Sequence, residues 1–284
     1  MSQRIHVIGA SGRSGRAVSR ALAARGAAVV PVVRDPARWQ PIAGAEAPRV
    51  ADLTDARALA AAIGEAEAVI SCAHARHIGA ILDATAAPRL AFLGSTRRFT
   101  RWPDSHGDGV IAGEAALRAS GRPGVLLHPT MIYGAAGEDN VRRLAALLRR
   151  LPVVPLPGGG RALVQPVYQD DVTQALCAVI GRDWDGPQSY VIAGPQAVPY
   201  RDFVAAIAQA AGLQRPRFVG VPAAALIAAS PLTLLPGLPR IRGAEIRRLL
   251  EDKAFDIAPA RAAFGFAPIG LAQGLARTFS PDAP

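Results

Sequence analysis

Lysine is almost absent from this chain: Lys253 is the only one among 32 lysine and arginine residues, so lysine-dependent chemistry rests on a single position. Cysteine is nearly as scarce. Cys72 and Cys177 lie far apart and match neither a disulfide framework nor a metal-knuckle spacing, which predicts a reducing compartment. Aromatic residues make up 5% of the chain and do not interleave the arginine pairs at 97–98, 142–143, 149–150 and 247–248. The net charge of +10 is therefore read first as coding bias toward Ala, Arg, Gly and Pro, second as a match to an anionic substrate or lipid, and only third as a nucleic-acid surface. There is also no long apolar run. The longest, 221–235, is broken by Pro222 and Pro231 and falls short of the ~20 residues that span a bilayer. With Leu226, Ile227, Leu232, Leu234, Leu235 and Leu238 ahead of Arg240 and Arg242, the stretch 221–242 reads as a lid over a cleft, or as a docking face for a membrane or a partner protein. The opening MSQRIHVIGASG runs straight into a strand and a glycine turn without a charged-then-apolar leader, and a cytoplasmic protein is the expectation.

What is present is an alternation. Short runs of Val, Ile and Leu at 5–8, 28–33, 49–51, 68–71, 90–93 and 125–127 are separated by alanine-rich helical stretches at 15–25, 55–63, 78–85 and 110–120. Nearly continuous apolar strands between helices predict an α/β fold whose parallel, doubly wound sheet is buried on both faces. After residue 128 the rhythm changes. A loop at 129–137, a helix at 140–150 and a proline- and glycine-rich stretch at 152–160 come first. A helix at 171–180 begun by Asp171, a strand at 190–192, and a helix at 202–211 begun by Tyr200-Arg201-Asp202 follow. The expected organisation is a nucleotide-binding domain over 1–135 and a smaller substrate or partner lobe over 136–284, partly interleaved with the sheet.

The first strand leads into Gly9-Ala10-Ser11-Gly12-Arg13-Ser14-Gly15, and a helix begins at once. Glycines three apart permit a tight turn, close approach of a pyrophosphate and close packing of helix on strand, while the helix N-terminus offers unpaired N–H groups. Gly9, Ser11, Gly12, Arg13, Ser14 and Gly15 are the expected phosphate contacts of a Rossmann-type dinucleotide site. At the end of the second strand stands Arg34, where an acidic residue would hold the 2′-hydroxyl of NAD and an arginine accepts the 2′-phosphate of NADP. Arg13 is expected to close on the same phosphate, and Asp35 to cap the next turn. NADP(H) is favoured, with NAD the alternative.

Together with Val33-Arg34-Asp35-Pro36, Ala51-Asp52-Leu53, Val69-Ile70-Ser71-Cys72-Ala73, Phe92-Leu93-Gly94-Ser95-Thr96 and Pro129-Thr130-Met131-Ile132-Tyr133-Gly134, this fingerprint resembles an extended or atypical short-chain dehydrogenase/reductase. Its relatives are NAD(P)H-binding, sugar-epimerase-like and complex I accessory-subunit proteins. The resemblance implies adenine contacts from Asp52 and Leu53, and places Ala73 and His74 beside the cofactor.

It fails at the catalytic pair. Such enzymes use Tyr-x-x-x-Lys, the lysine lowering the tyrosine pKa. Here the tyrosines at 133, 168, 190 and 200 are followed four residues later by Gly137, Val172, Gly194 and Val204, so the pair cannot occur anywhere. The slots fall near His106 and Val110. Three replacements stand open: His106 titrating in place of tyrosine or simply solvated in a polar loop at 104–108; Tyr133, which resembles a residue lining the nicotinamide end but is read as packing or substrate contact ahead of acid/base work; and Ser95 with Thr96 positioning a reacting oxygen. His74 and His77 have metal-compatible spacing but no completing ligands, and no metal is expected. His128 replaces the arginine often found before the Pro-Thr-Met-Ile-Tyr-Gly run. The loop 140–143 and the segment 161–165 are candidate contacts for an anionic substrate. Two functions compete: an NADP(H)-dependent oxidoreductase or sugar-nucleotide epimerase-like enzyme with a non-standard site, and a cofactor-binding sensor or assembly subunit that has lost turnover.

Overall fold

A computed structural model describes residues 4–134, 140–151, 153–229 and 243–280. Strands β1 (Arg4–Ile8), β2 (Ala28–Val33), β3 (Arg49–Val50), β4 (Ala68–Ser71), β5 (Arg89–Leu93) and β6 (Gly124–Pro129) alternate with helices α1 (Arg13–Ala24), α2 (Ala56–Ile63), α3 (Ile78–Ala84) and α4 (Ser105–Ser120). The short elements β7 (Ile132–Tyr133), α5 (Asn140–Leu148), β8 (Val153–Pro157), β9 (Leu163–Val164) and β10 (Val167–Tyr168) come next. They are followed by α6 (Gln169–Ile180), β11 (Pro187–Ile192), β12 (Val198–Pro199), α7 (Tyr200–Ala210) and β13 (Arg217–Val221). Helices α8 (Ala223–Ala229), α9 (Gly243–Arg248), α10 (Ala258–Phe264) and α11 (Leu271–Phe279) complete the described chain.

Seven strands pair in the order β11-β6-β5-β4-β1-β2-β3, every neighbour parallel. The order reverses between β1 and β4, and such a switch opens a crevice at the carboxyl ends of the strands. Side chains alternate across the sheet as period-two geometry demands. In β5, Ala91 joins the core with Val18, Leu22 and Leu176 of α1 and α6, while Leu90 and Phe92 join Leu59, Ile81 and Leu117 of α2, α3 and α4. Each large side chain so buried contributes about 1.5–3 kcal/mol. A third core gathers Tyr133, Val141, Leu156, Phe203 and Ile207 beyond the sheet.

Several expected boundaries move. Helix α4 begins at Ser105, not 110, because Asp104 Oδ1 accepts the Gly107 N–H at 2.8 Å and caps it. The stretch 104–108 is thus a capped helix start, not a solvated loop. Part of the 152–160 stretch is strand β8, which among the described residues pairs with β13 alone, an edge position where Pro155 and Pro157 are tolerated. Helix α6 begins at Gln169, and the Asp171 carboxylate accepts the Ile269 N–H at 3.0 Å instead of capping its own helix. Helix α7 starts at Tyr200 behind Pro199, with no side-chain cap. Among the described residues no helix is long and apolar enough to cross a membrane. Of the apolar stretch 221–242, residues 230–242, with Leu232, Leu234, Leu235, Leu238, Arg240 and Arg242, lie outside the described residues.

Candidate active site

The glycine loop closes on itself through Gly12 N–H to Gly9 O at 2.9 Å, and α1 starts with Arg16 N–H to Gly12 O at 2.8 Å without a side-chain cap. A Cβ on Gly15 would stand 2.1 Å from Gly9 O, so only glycine lets α1 settle this close to β1. Beside the loop, at the switch point, is a cleft of about 440 Å³. Gly9, Ser11 and Gly12 form its floor, Arg34 and Arg38 one wall, Asp52 and Leu53 another, and Ala73 and His74 the end. The lining suits a dinucleotide: a glycine loop opening a helix N-terminus for the pyrophosphate, and two guanidinium groups, Arg34 and Arg38, for a further phosphate.

Three expected contacts lie outside this cleft. Gly15 packs under the loop, Arg13 opens α1 without lining the cleft, and Ser14 Oγ donates to Gln169 Oε1 at 3.2 Å, tying α1 to α6. Asp35 caps the turn as expected, its Oδ1 accepting the Ala37 N–H at 3.0 Å, and this turn carries Arg38 into the cleft. Sequence reasoning passed over Arg38; its signal was the capped Asp-Pro turn directly after Arg34. Asp52 Oδ1 accepts from Thr54 Oγ1 at 2.7 Å and Thr54 N at 2.9 Å, which holds its carboxyl below the ordinary range.

His74 and His106 meet. Nε2 of His74 lies 3.1 Å from Nδ1 of His106, and the rings cross edge to face with centroids 4.4 Å apart. Burial, helped by neighbouring cations, pushes His74 down to about 4 and lowers His106 as well. The lysine slot, Val110, is buried in the α4 core.

A second cleft, of about 590 Å³, lies between the end of β5 and the chain around 247–255, and His106 is in the lining of neither cleft. Ser95 and Thr96 line it from the cap and first residue of a 3₁₀ turn (Thr96–Phe99), two and three residues past Leu93, and not from the end of the strand where they were expected. Ser95 Oγ accepts the Arg97 N–H at 3.1 Å and Thr96 Oγ1 donates to Pro129 O at 3.2 Å. The opposite wall carries Arg247, Arg248 and Lys253, with Arg97 and Arg101 across from them. Asp104 offsets two of these charges, lying 3.2 Å from Arg248 and 3.5 Å from Arg97. Glu251 is spent on Thr100 Oγ1 at 2.8 Å and the Arg101 N–H at 2.6 Å. Lys253 donates from Nζ to Arg248 O at 2.8 Å, and burial lowers its pKa. Trp102 stands exposed at the rim with the Arg247 guanidinium 5.2 Å from its ring.

Tyr133 belongs to neither cleft. Only 1% exposed, it packs edge-on against Tyr168 and donates to Leu271 O at 3.5 Å, and burial pushes its hydroxyl pKa up. Its expected place at the nicotinamide end is corrected to a core position. Arg142 and Arg161 are likewise turned to backbone oxygens of Thr278 and Gly158, each at 3.2 Å, and Gln165 bridges Gly194 O and the Phe255 N–H. The cations facing the second cleft come instead from 97–101 and 247–253. His128 is buried against Ser189 Oγ at 3.0 Å and Glu114 Oε2 at 3.5 Å.

Residues 9–101 match the family described as NAD(P)H-binding. Uncharacterized proteins of Mycobacterium tuberculosis and Mycobacterium bovis are 32% identical over 211 residues, which cover 72% of this chain and 23% of theirs. The chain thus spans under a quarter of the length of these curated relatives. Among solved structures, MoeE5 in complex with UDP-glucuronic acid and NAD is 19% identical with a TM-score of 0.75, over 97% of each chain. DesIV, a dTDP-glucose 4,6-dehydratase from Streptomyces venezuelae with NAD bound, gives 16% and 0.74, over 98% of this chain and 96% of that one. UDP-glucose 4-epimerase from Thermotoga maritima gives 15% and 0.73, over 98% and 97%. The likeness to these structures is one of fold.

Proposed function

We propose that this chain, an NAD(P)H-binding protein with the fold of short-chain dehydrogenase/reductase-type epimerases and dehydratases, is an NADP(H)-dependent oxidoreductase or epimerase-like enzyme acting on an anionic small molecule. The observation that carries this reading is the short path between the two clefts through the start of α4. His74 lines the first, His106 touches His74, and Asp104, two residues before His106, binds Arg97 and Arg248 of the second.

In this reading the glycine loop from Gly9 to Gly12 and the start of α1 receive the pyrophosphate, Arg34 and Arg38 hold the 2′-phosphate, and Asp52, Leu53 and Ala73 frame the nucleoside. When bound, the nicotinamide supplies or accepts the hydride. The chain's own work is placement. Ser95 and Thr96 sit where a carbonyl or carbinol oxygen would lie, Arg97, Arg248 and Lys253 counter a phosphate or carboxylate on the substrate, and His106 serves the reacting oxygen.

The test is NADPH consumption against a panel of carbonyl compounds and sugar nucleotides. Turnover that falls at least ~100-fold in His106→Ala, the scale of losing a proton-handling or polarising group, supports the enzyme. NADPH binding without turnover on any substrate, together with a co-purifying protein, supports the sensor or assembly reading, which the missing Tyr-x-x-x-Lys pair favours.

A further inference from the structure

We infer that His74 is a positioning residue that locks His106 in the neutral tautomer bearing its hydrogen on Nε2, so that His106 offers the site a hydrogen-bond donor and not a base. The role given to that donor rests on the functional reading above; the tautomer itself rests on geometry alone. Nδ1 of His74 receives two donors, the Arg76 backbone N–H at 3.1 Å and the Arg76 guanidinium Nε at 3.2 Å. A hydrogen on that nitrogen would face both, so neutral His74 carries its hydrogen on Nε2. Nε2 has His106 Nδ1 before it at 3.1 Å. Nδ1 of His106 is therefore the acceptor, and the ring's hydrogen resides on Nε2.

The surroundings keep both rings neutral. Arg76 and Arg97 oppose a charge on His106 and Asp104 favours one, while Arg76, His77 and His106 oppose a charge on His74. His106 is also the second residue of α4, where the helix dipole disfavours a cation. An imidazolium at His106 would set an N–H on Nδ1 against the His74 N–H. The His74 ring is seated against the helix backbone: a Cβ on Gly109 would come within 2.7 Å of its Cε1.

A neutral imidazole N–H can polarise a carbonyl oxygen without giving up its proton, and it does so over a wide pH range. The chain thus carries a histidine pair with His106 near the expected tyrosine slot, but in a different chemical role. A fixed donor stabilises negative charge developing on oxygen, and the proton that finally quenches that oxygen comes from water.

Long-range ¹H–¹⁵N correlation spectra of the full chain labelled in its five histidines decide the matter, with His106→Asn used for assignment. The expected wild-type result is one neutral His106 tautomer, Nε2–H, at pH 7. In His74→Phe, which keeps a ring but no donor, His106 should sample both tautomers. His74→Gln, whose amide restores a donor, should recover the wild-type pattern. A wild-type His106 that is charged or tautomer-averaged at pH 7, or one indifferent to His74→Phe, overturns the proposal. The wild-type spectrum alone suffices if a variant fails to fold. Loss of all turnover with the expected spectrum would instead defeat the functional reading and leave the tautomer standing.

Discussion

His6 sits in the middle of β1 with 1% of its surface exposed, and neither ring nitrogen has a hydrogen-bond partner among the described residues. Only the neutral ring is tolerated there. Burial, with Arg49 and Arg4 adding to it, lowers its pKa to about 4. A folded pKa below the unfolded one means that stability is fully present above about pH 6.5 and is lost as the pH falls toward 4. The span corresponds to roughly 3 kcal/mol at 1.36 kcal/mol per unit. His128, also pushed to about 4 by burial, acts in the same direction. His6→Val, suited to a strand between Ile5 and Val7, should flatten the fall of Tm between those pH values; parallel slopes in variant and wild type would contradict it. Placements set by neighbours in sequence were legible, as with the glycine turn after β1, Arg34 after the end of β2 and the Asp35 cap. Tyr133 was not, because the burial that removes it from chemistry comes from Tyr168 and Leu271, far along the chain.

Elements show the same division. Strands β2 and β4 fall on their expected residues because continuous apolar runs report burial on both faces directly. The start of α4 was hidden by Gly107 and Gly109, which weaken a helical pattern, and by His106, which looks polar and solvated. What makes a helix there is the Asp104 cap and a partner element lying close enough that a Cβ on Gly113 would stand 2.1 Å from Ala75 O. The end of α3 depends on a distant side chain too. Arg122 donates to Leu82 O and Thr85 O at 2.7 Å and to Ala87 O at 2.9 Å, satisfying carbonyls that the helix leaves open. Arg122→Met keeps the stem and removes the donors, and should cost roughly 2 kcal/mol. A lower urea midpoint at unchanged m-value is the expected reading; an unchanged midpoint would show that water replaces the guanidinium at no cost.

At the scale of the whole molecule the chain returns to itself twice. β11 joins the sheet beside β6, and the segment around 247–255 folds back onto the turn after β5, where Glu251 grips Thr100 and Arg101 from 150 residues away. That return builds the second cleft and brings Lys253, the sole lysine, into its wall. No local periodicity encodes such a closure, which is why the first cleft was readable and the second was not. The proposed function has the first cleft take the phosphorylated dinucleotide. Isothermal titration of the full chain with NADPH and with NADH tests this most directly. The account predicts one NADPH per chain, bound at least about tenfold more tightly than NADH, a difference of ~1.4 kcal/mol that should vanish in Arg34→Ala. Equal or tighter binding of NADH, unchanged by Arg34→Ala, or no binding of either, would contradict it.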